Sequence, residues 1–276
     1  MKAARFDYVR AASVAQALGL LREHEGRAKL MAGGQSLGPM LNLRLARPAV
    51  VVDIAGMDEL RGVAEQDGRL RVGAGVTHAE IEDGVFPPLR GSVLQQVAGG
   101  IAYRAIRNRG TLGGSLAHAD PAADWVLTMV ALGADIEIAG PAGTRLVAAS
   151  DFMHGAYTTA VGEDELIVAV HVPRREAQAR WGYYKFCRKT GEFAEAACAA
   201  WFDPAGKVAR VAVGALDGPP ALLPGLAAEV ARTGAAPAAN GRILDELAAV
   251  MPDKDPLHRK LHATAVARCL GQALAA

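Results

Sequence analysis

Apolar and polar positions alternate along this chain in two rhythms, and the switches between them mark its elements. Val14, Ala17, Leu18 and Leu21 recur at helical spacing behind Ser13 and Gln16, a capping-box pattern, and Gly26 supplies a stop. A strand is expected at 29–32, a helix at 37–45 and a strand at 50–53. Residues 62–66, the turn Asp67-Gly68 and the alternating Leu70, Val72, Ala74 and Val76 read as a hairpin. Thr77 and Glu80 form a second capping-box pattern, and 92–100 reads as helix. Asp120-Pro121 precedes an apolar helix ending near Gly133, since Asp suits an N-cap and Pro the first helical position. Strands follow at 135–139 and 166–172.

After Pro173 the pattern changes. The charged stretch 174–180 reads as a linker, then strands are expected around 183–188, 194–202 and 208–215. Helices follow at 226–232 and 242–250, with 235–239 as a loop before the second. A last helix is capped by Asp255-Pro256, with an apolar stripe of Leu257, Leu261, Ala265, Cys269 and Ala273. Strands and helices without strict alternation indicate α+β. The 276 residues suit two domains or one large one.

Composition narrows the function. The chain is 51% hydrophobic, 21% charged and 5% aromatic, with 30 Lys and Arg against 29 Asp and Glu. That balance offers no basic stripe for a nucleic-acid backbone and few rings for base stacking. No apolar run approaches the ~20 residues of a membrane span. The N-terminus lacks a secretory pattern, which makes the cytoplasm the expected compartment. Cys187, Cys198 and Cys269 are widely spaced, with no Cys-x-x-Cys pair for zinc or an iron–sulfur cluster. His258 and His262 stand at i, i+4, but without a third ligand nearby they read as a polar helix face. No catalytic set for hydrolysis stands out.

Two glycine motifs carry the chemistry. Ala32-Gly33-Gly34-Gln35-Ser36 lies between a strand and a helix, where glycines let backbone N–H groups approach a ligand and Ser36 adds a hydroxyl. That equipment suits a phosphate or pyrophosphate; taken alone, it could equally be a tight turn. The second motif, Thr111-Leu112-Gly113-Gly114-Ser115, again pairs glycines with hydroxyls. Two such motifs suit a dinucleotide, whose diphosphate is held from more than one side. Neither matches the Walker or Gly-x-Gly-x-x-Gly pattern.

With their flanks, residues 32–37 and 107–115 resemble the two FAD signatures of the medium subunit of xanthine dehydrogenase-type molybdenum hydroxylases, a family that includes aerobic carbon monoxide dehydrogenase. The resemblance covers nearly the whole chain, including Asp-Pro-Ala-Ala-Asp at 120–124 and Tyr184-Lys185-Phe186. It implies a two-lobed FAD-binding domain over 1–175, with lobes of about 1–55 and 56–175, followed by a smaller α+β domain over 176–276. It implies FAD held by 32–36 and by Thr111 and 113–115, with Leu30 by the adenine and Ala117 facing the flavin. Asp124 would bond the ribityl hydroxyls, and Lys185 would approach the pyrimidine edge of the ring. Ser115 stands where the family often has Asn, and either can donate a hydrogen bond.

The partners implied are a molybdopterin-containing large subunit and a small subunit with two-iron iron–sulfur clusters, assembled as a dimer of heterotrimers. The chain would relay electrons rather than oxidise substrate, with no catalytic residues and no metal of its own. Other readings are a stand-alone FAD-dependent oxidoreductase of the same superfamily, or a scaffold whose glycine loops are structural. Asp120 reads first as a helix cap and second as a cofactor contact. His118 either donates to a phosphate or simply follows the loop. Arg107 and Arg109 could neutralise a diphosphate, face solvent or serve a contact with another subunit, and Glu195 in an apolar stretch has no evident role.

Overall fold

The computed structural model describes residues 2–174, 176, 178–237 and 240–275. They form two compact units that interleave along the chain. The first takes 1–118, 135–147 and 159–172; the second takes 119–134, 148–158 and 173–276. The units therefore do not meet at one boundary near residue 175. The physical reason is the helix Asp124–Leu132, every residue of which is buried and which packs on strands Ala196–Asp203 and Val208–Gly214.

In the first unit, three parallel strands run in the spatial order Asp7–Arg10, Val50–Asp53, Ala28–Met31. Val50, Val51 and Val52 are all buried, the continuous apolar run expected of a central parallel strand covered on both faces. Helix Val14–Glu23 is capped by Ser13, whose Oγ accepts the Gln16 N–H, and it buries Ala17 and Leu21. Both belong to a core with Val50, Val52, Met57 and Leu60. A five-stranded sheet in the order Val63–Gln66, Arg69–Gly73, Leu166–Pro173, Asp135–Gly140, Gly143–Ala148 completes this unit.

Strands Asp7–Arg10 and Gly143–Ala148 were not expected. Both lie at sheet edges and their residues are mostly exposed, so they lack the apolar alternation that betrays a half-buried strand. The helix expected at 37–45 stops at Asn42. Arg44 has φ 59° and Leu45 is 73% exposed, so nothing apolar holds a further turn in place.

The second unit is built on a four-stranded antiparallel sheet, Arg180–Phe186, Ala196–Asp203, Val208–Gly214 and Ala221–Leu222. Tyr184, Cys198, Ala200, Val211 and Val213 face a core with helices Pro224–Thr233, Asn240–Val250 and Pro256–Leu274. Because side chains alternate along a strand, Tyr183 and Lys185 point to the opposite face, where helix Asp124–Leu132 lies. Each of Leu127, Met129 and Val130 contributes ~1.5–3 kcal/mol on burial, and Gly133 closes that helix in the left-handed conformation at φ 66°.

Three local expectations need correction. Helix Pro256–Leu274 is capped by Asp255 as expected, and Ala265, Cys269 and Ala273 of its expected stripe are buried together with Val266 and Leu270, but Leu257 at its start is exposed. His262 is buried rather than on a polar face, its Nε2 3.2 Å from the Gly214 carbonyl and its Nδ1 3.0 Å from that of His258. Glu195 lies just before its strand, where its N–H donates to the Phe186 carbonyl and its carboxylate pairs with Arg188 at the open end of the hairpin. Residues 175 and 177 of the expected linker, and 238–239 of the expected loop, lie outside the described residues.

Candidate cofactor site

The first glycine motif leaves the carboxyl edge of the parallel sheet, the edge at which open α/β sheets bind ligands. Strand Ala28–Met31 runs into it and helix Leu37–Asn42 leaves it. Gly33 lies against the second motif's approach: a Cβ there would fall 1.9 Å from the Arg109 carbonyl oxygen and 2.8 Å from the Gly110 Cα. Gly34 has φ +71°, a conformation that favours glycine. Among the described residues, the N–H groups of Gly33, Gly34, Gln35 and Ser36 donate to no protein acceptor. The Gln35 side chain donates to the Gly33 carbonyl at 3.2 Å, and Ser36 makes no side-chain cap. Four consecutive amides without a protein acceptor are donors that suit an anion.

The second motif is not a loop but a helix start, Leu112–His118. Buried Thr111 acts as its cap: its Oγ1 accepts the Gly114 N–H at 3.0 Å and its carbonyl accepts the Ser115 N–H at 3.0 Å. The Gly113 N–H donates to the Ala74 carbonyl at 2.9 Å, and a Cβ on Gly113 would fall 2.4 Å from that of Ala74. These three amides are engaged within the chain. What this motif offers outward is the Ser115 hydroxyl and a position next to the first, with Gly114 facing Ala32. The two motifs thus meet, one giving donors and the other a wall.

His78 supports this junction. Its N–H donates to the Gly110 carbonyl at 2.9 Å, in a helix whose Thr77–Glu80 capping box is complete. Burial, with the positive charge of Arg107 added, lowers its pKa from 6.5 to about 4. The unfolded chain therefore takes up this proton first as pH falls, and stability is lost between pH 6.5 and 4, with none lost above 6.5. The loss by pH 4 is expected to be roughly 3 kcal/mol, at about 1.36 kcal/mol for each tenfold difference in proton affinity between the folded and unfolded chain. Urea titrations from pH 7 to 4 should show this component in the native chain and not in His78→Gln; equal pH slopes would count against it.

In the second unit, Asp124 opens its helix with only 9% of its side chain exposed. Its Oδ1 accepts from Tyr183 Oη at 2.6 Å and from Lys185 Nζ at 2.7 Å. Burial and the Asp124 carboxylate both push the Tyr183 phenol well above its ordinary value, keeping it a neutral donor. Asp124 and Lys185 are thus paired with each other, and Tyr183 joins them without having been singled out in the sequence. The signal for it was its position two residues before Lys185, on the same strand face.

The remaining candidates fall as follows. Leu30 pairs with Val52 in the parallel sheet and packs against its core. Ala117 is exposed, and His118 ends its helix. Asp120 is not the N-cap of Asp124–Leu132, a position taken by Ala123. It instead accepts the Ala122 N–H at 2.9 Å and the Tyr157 hydroxyl at 3.2 Å, stabilising the turn before the helix. Arg107 is committed to structure: it grips Glu82 with two hydrogen bonds of 2.7 and 2.9 Å and donates to the Ile101 and Ala102 carbonyls. Among the described residues no group of three His, Cys, Asp or Glu could hold a metal, and no helix is long and apolar enough to cross a membrane.

Comparison with known proteins gives this geometry a family. Residues 4–175 match the model of the FAD binding domain in molybdopterin dehydrogenase. The chain is 38% identical over 195 residues to the carbon monoxide dehydrogenase medium chain of Hydrogenophaga pseudoflava, covering 71% of this chain and 68% of that one. It is 40% identical over 195 residues to the nicotine 6-hydroxylase medium subunit of Paenarthrobacter nicotinovorans, covering 70% and 67%. Its fold matches quinoline 2-oxidoreductase of Pseudomonas putida 86 with a TM-score of 0.86 at 31% identity, over 99% of this chain and 98% of that one. Reconstituted carbon monoxide dehydrogenase from Oligotropha carboxidovorans matches with 0.88 at 30% identity, over 99% of each. With a family model over residues 4–175 and relatives of this identity and coverage, the chain belongs to the FAD-binding family of the molybdopterin dehydrogenases and is an FAD-binding subunit of an oxidoreductase of that class.

Proposed function

We propose that this chain is the electron-transfer flavoprotein of a three-subunit molybdenum hydroxylase, working beside a molybdopterin-containing large subunit and an iron–sulfur small subunit. The observation that carries this reading is the run of four free amides at residues 33–36 in a chain whose relatives are medium subunits. These amides would hold the FAD diphosphate, with the Ser36 and Ser115 hydroxyls beside them and Thr111, Gly113 and Gly114 as packing that fixes their arrangement. Asp124 and Lys185 would serve the ribityl and ring end of the cofactor, and Ala117, His118 and Asp120 lie on the segment between the second motif and Asp124. FAD supplies the two-electron redox chemistry; the chain binds and orients it and sets the charge around it. Single electrons would arrive from two-iron clusters of the small subunit and leave in pairs to an external acceptor.

The test is purification from the native host. One larger and one smaller chain should accompany this one, with molybdenum and iron detectable by elemental analysis. The isolated chain should be yellow and should not oxidise carbon monoxide, purines or N-heterocycles. Acid precipitation should release all its flavin, because no Cys or His sits at an attachment motif. A metal-free homo-oligomer with its own turnover would instead establish the stand-alone oxidoreductase.

A further inference from the structure

We propose that Arg10 and Arg109 form a cationic clamp on the phosphate groups of FAD, supplying the charge that the amides of residues 33–36 lack. This rests on the placement of the diphosphate at those residues. Arg10 ends the first parallel strand and pairs in register with Asp53, which in turn pairs with Met31, the last strand residue before the glycine motif. The Arg10 guanidinium turns back over Gly56, where a Cβ would fall 2.3 Å from its Nη2, so it sits at the carboxyl edge of the sheet. Arg109 is held at the first glycine motif by its backbone, whose carbonyl lies against Gly33. The charges of both arginines act on the Tyr8 phenol.

Neither arginine's side chain has a carboxylate or other hydrogen-bond partner among the described residues. That is unlike Arg104 and Arg107, which are held by Glu82 and Asp83. Asp53, paired with Arg10 in the sheet, is already engaged: one oxygen accepts the Tyr8 hydroxyl and the other accepts the Ala55 N–H at 2.9 Å. Among the described residues Asp53 forms no ion pair with Arg10. Two unpaired guanidiniums at a row of unpaired amides complement a diphosphate in both charge and hydrogen bonding.

The test uses the full chain stripped of flavin, with ADP, adenosine and FAD as probes in titration calorimetry. Arg10→Gln and Arg109→Gln should each weaken ADP and FAD about fivefold, and the double variant about 25-fold. Adenosine, which lacks phosphate, should bind each variant as it binds the native chain. Arg10→Lys should restore most of the loss, and added salt should weaken ADP less in the double variant than in the native chain. A merely structural role would weaken adenosine as well and leave the salt dependence unchanged. Native-like ADP affinity in the folded double variant overturns the clamp, including the case in which that variant binds FAD normally but fails to assemble with other subunits. The underlying placement fails separately, if Gly33→Val leaves ADP binding intact.

Discussion

Gly33→Val is expected to abolish FAD binding and to destabilise the first unit at the same time. Glycine is needed at this position because of the Arg109 carbonyl, 1.9 Å from where a Cβ would lie, and the Gly110 Cα behind it. The obstacle is backbone, not the end of a flexible side chain that could move aside. The 32–36 and 109–110 segments must separate, and the free amides lose their fixed arrangement. An overpacked site of this kind costs ~1–3 kcal/mol or more. Flavin fluorescence should return to that of free FAD, and the melting temperature should fall. Gly38→Ala is the matched control: nothing lies within 4 Å of a Cβ there, and the helix should gain slightly from the better helix former. A Gly33→Val chain that binds FAD with native affinity would remove this motif from the site.

The second large effect is expected at Lys185. Replacing it with Met leaves the buried Asp124 carboxylate with the Tyr183 hydroxyl but without its cation. Breaking a buried pair by removing one partner costs ~3–5 kcal/mol, which lowers the melting temperature by roughly 6–20 °C at 2–4 °C per kcal/mol. Lys185→Met with Asp124→Asn should recover most of that, because a neutral amide can still accept from Tyr183. The redox consequence separates in the same way. With the ring beside Lys185, as proposed, the single variant leaves one net negative charge near the flavin. That charge disfavours the reduced anion by ~1–3 kcal/mol, roughly 20–65 mV for two electrons. The double variant leaves a neutral pair, as the native chain does, and should keep the native potential. Equal stability of all three proteins, or equal potentials of the single variant and the native chain, would place Lys185 elsewhere.

The sequence by itself determined what local chemistry can determine. The capped helices at Ser13, Thr77 and Asp255, the hairpin at Asp67-Gly68 and the buried strand Val50–Asp53 are written in side chains a few residues apart, and so is the pairing of two glycine motifs that resembles FAD signatures. Contacts between distant segments were out of its reach. Gly33 is constrained by Arg109, more than seventy positions away, so its reason for being glycine is invisible beside its own neighbours. The amides at 113–115 look as available as those at 33–36 until Ala74 and Thr111 are seen to take them. Asp120 has the better local credentials for an N-cap, but the helix starts four residues later. Burial of Trp125 through Leu132 against the second unit's strands outweighs one capping bond of ~1 kcal/mol. The same long-range packing assigns Asp124–Leu132 to the second unit, where a sheet formed after residue 180 brings Tyr183 and Lys185 onto Asp124. Periodicity reports which face of an element is apolar; only the folded chain decides what that face meets.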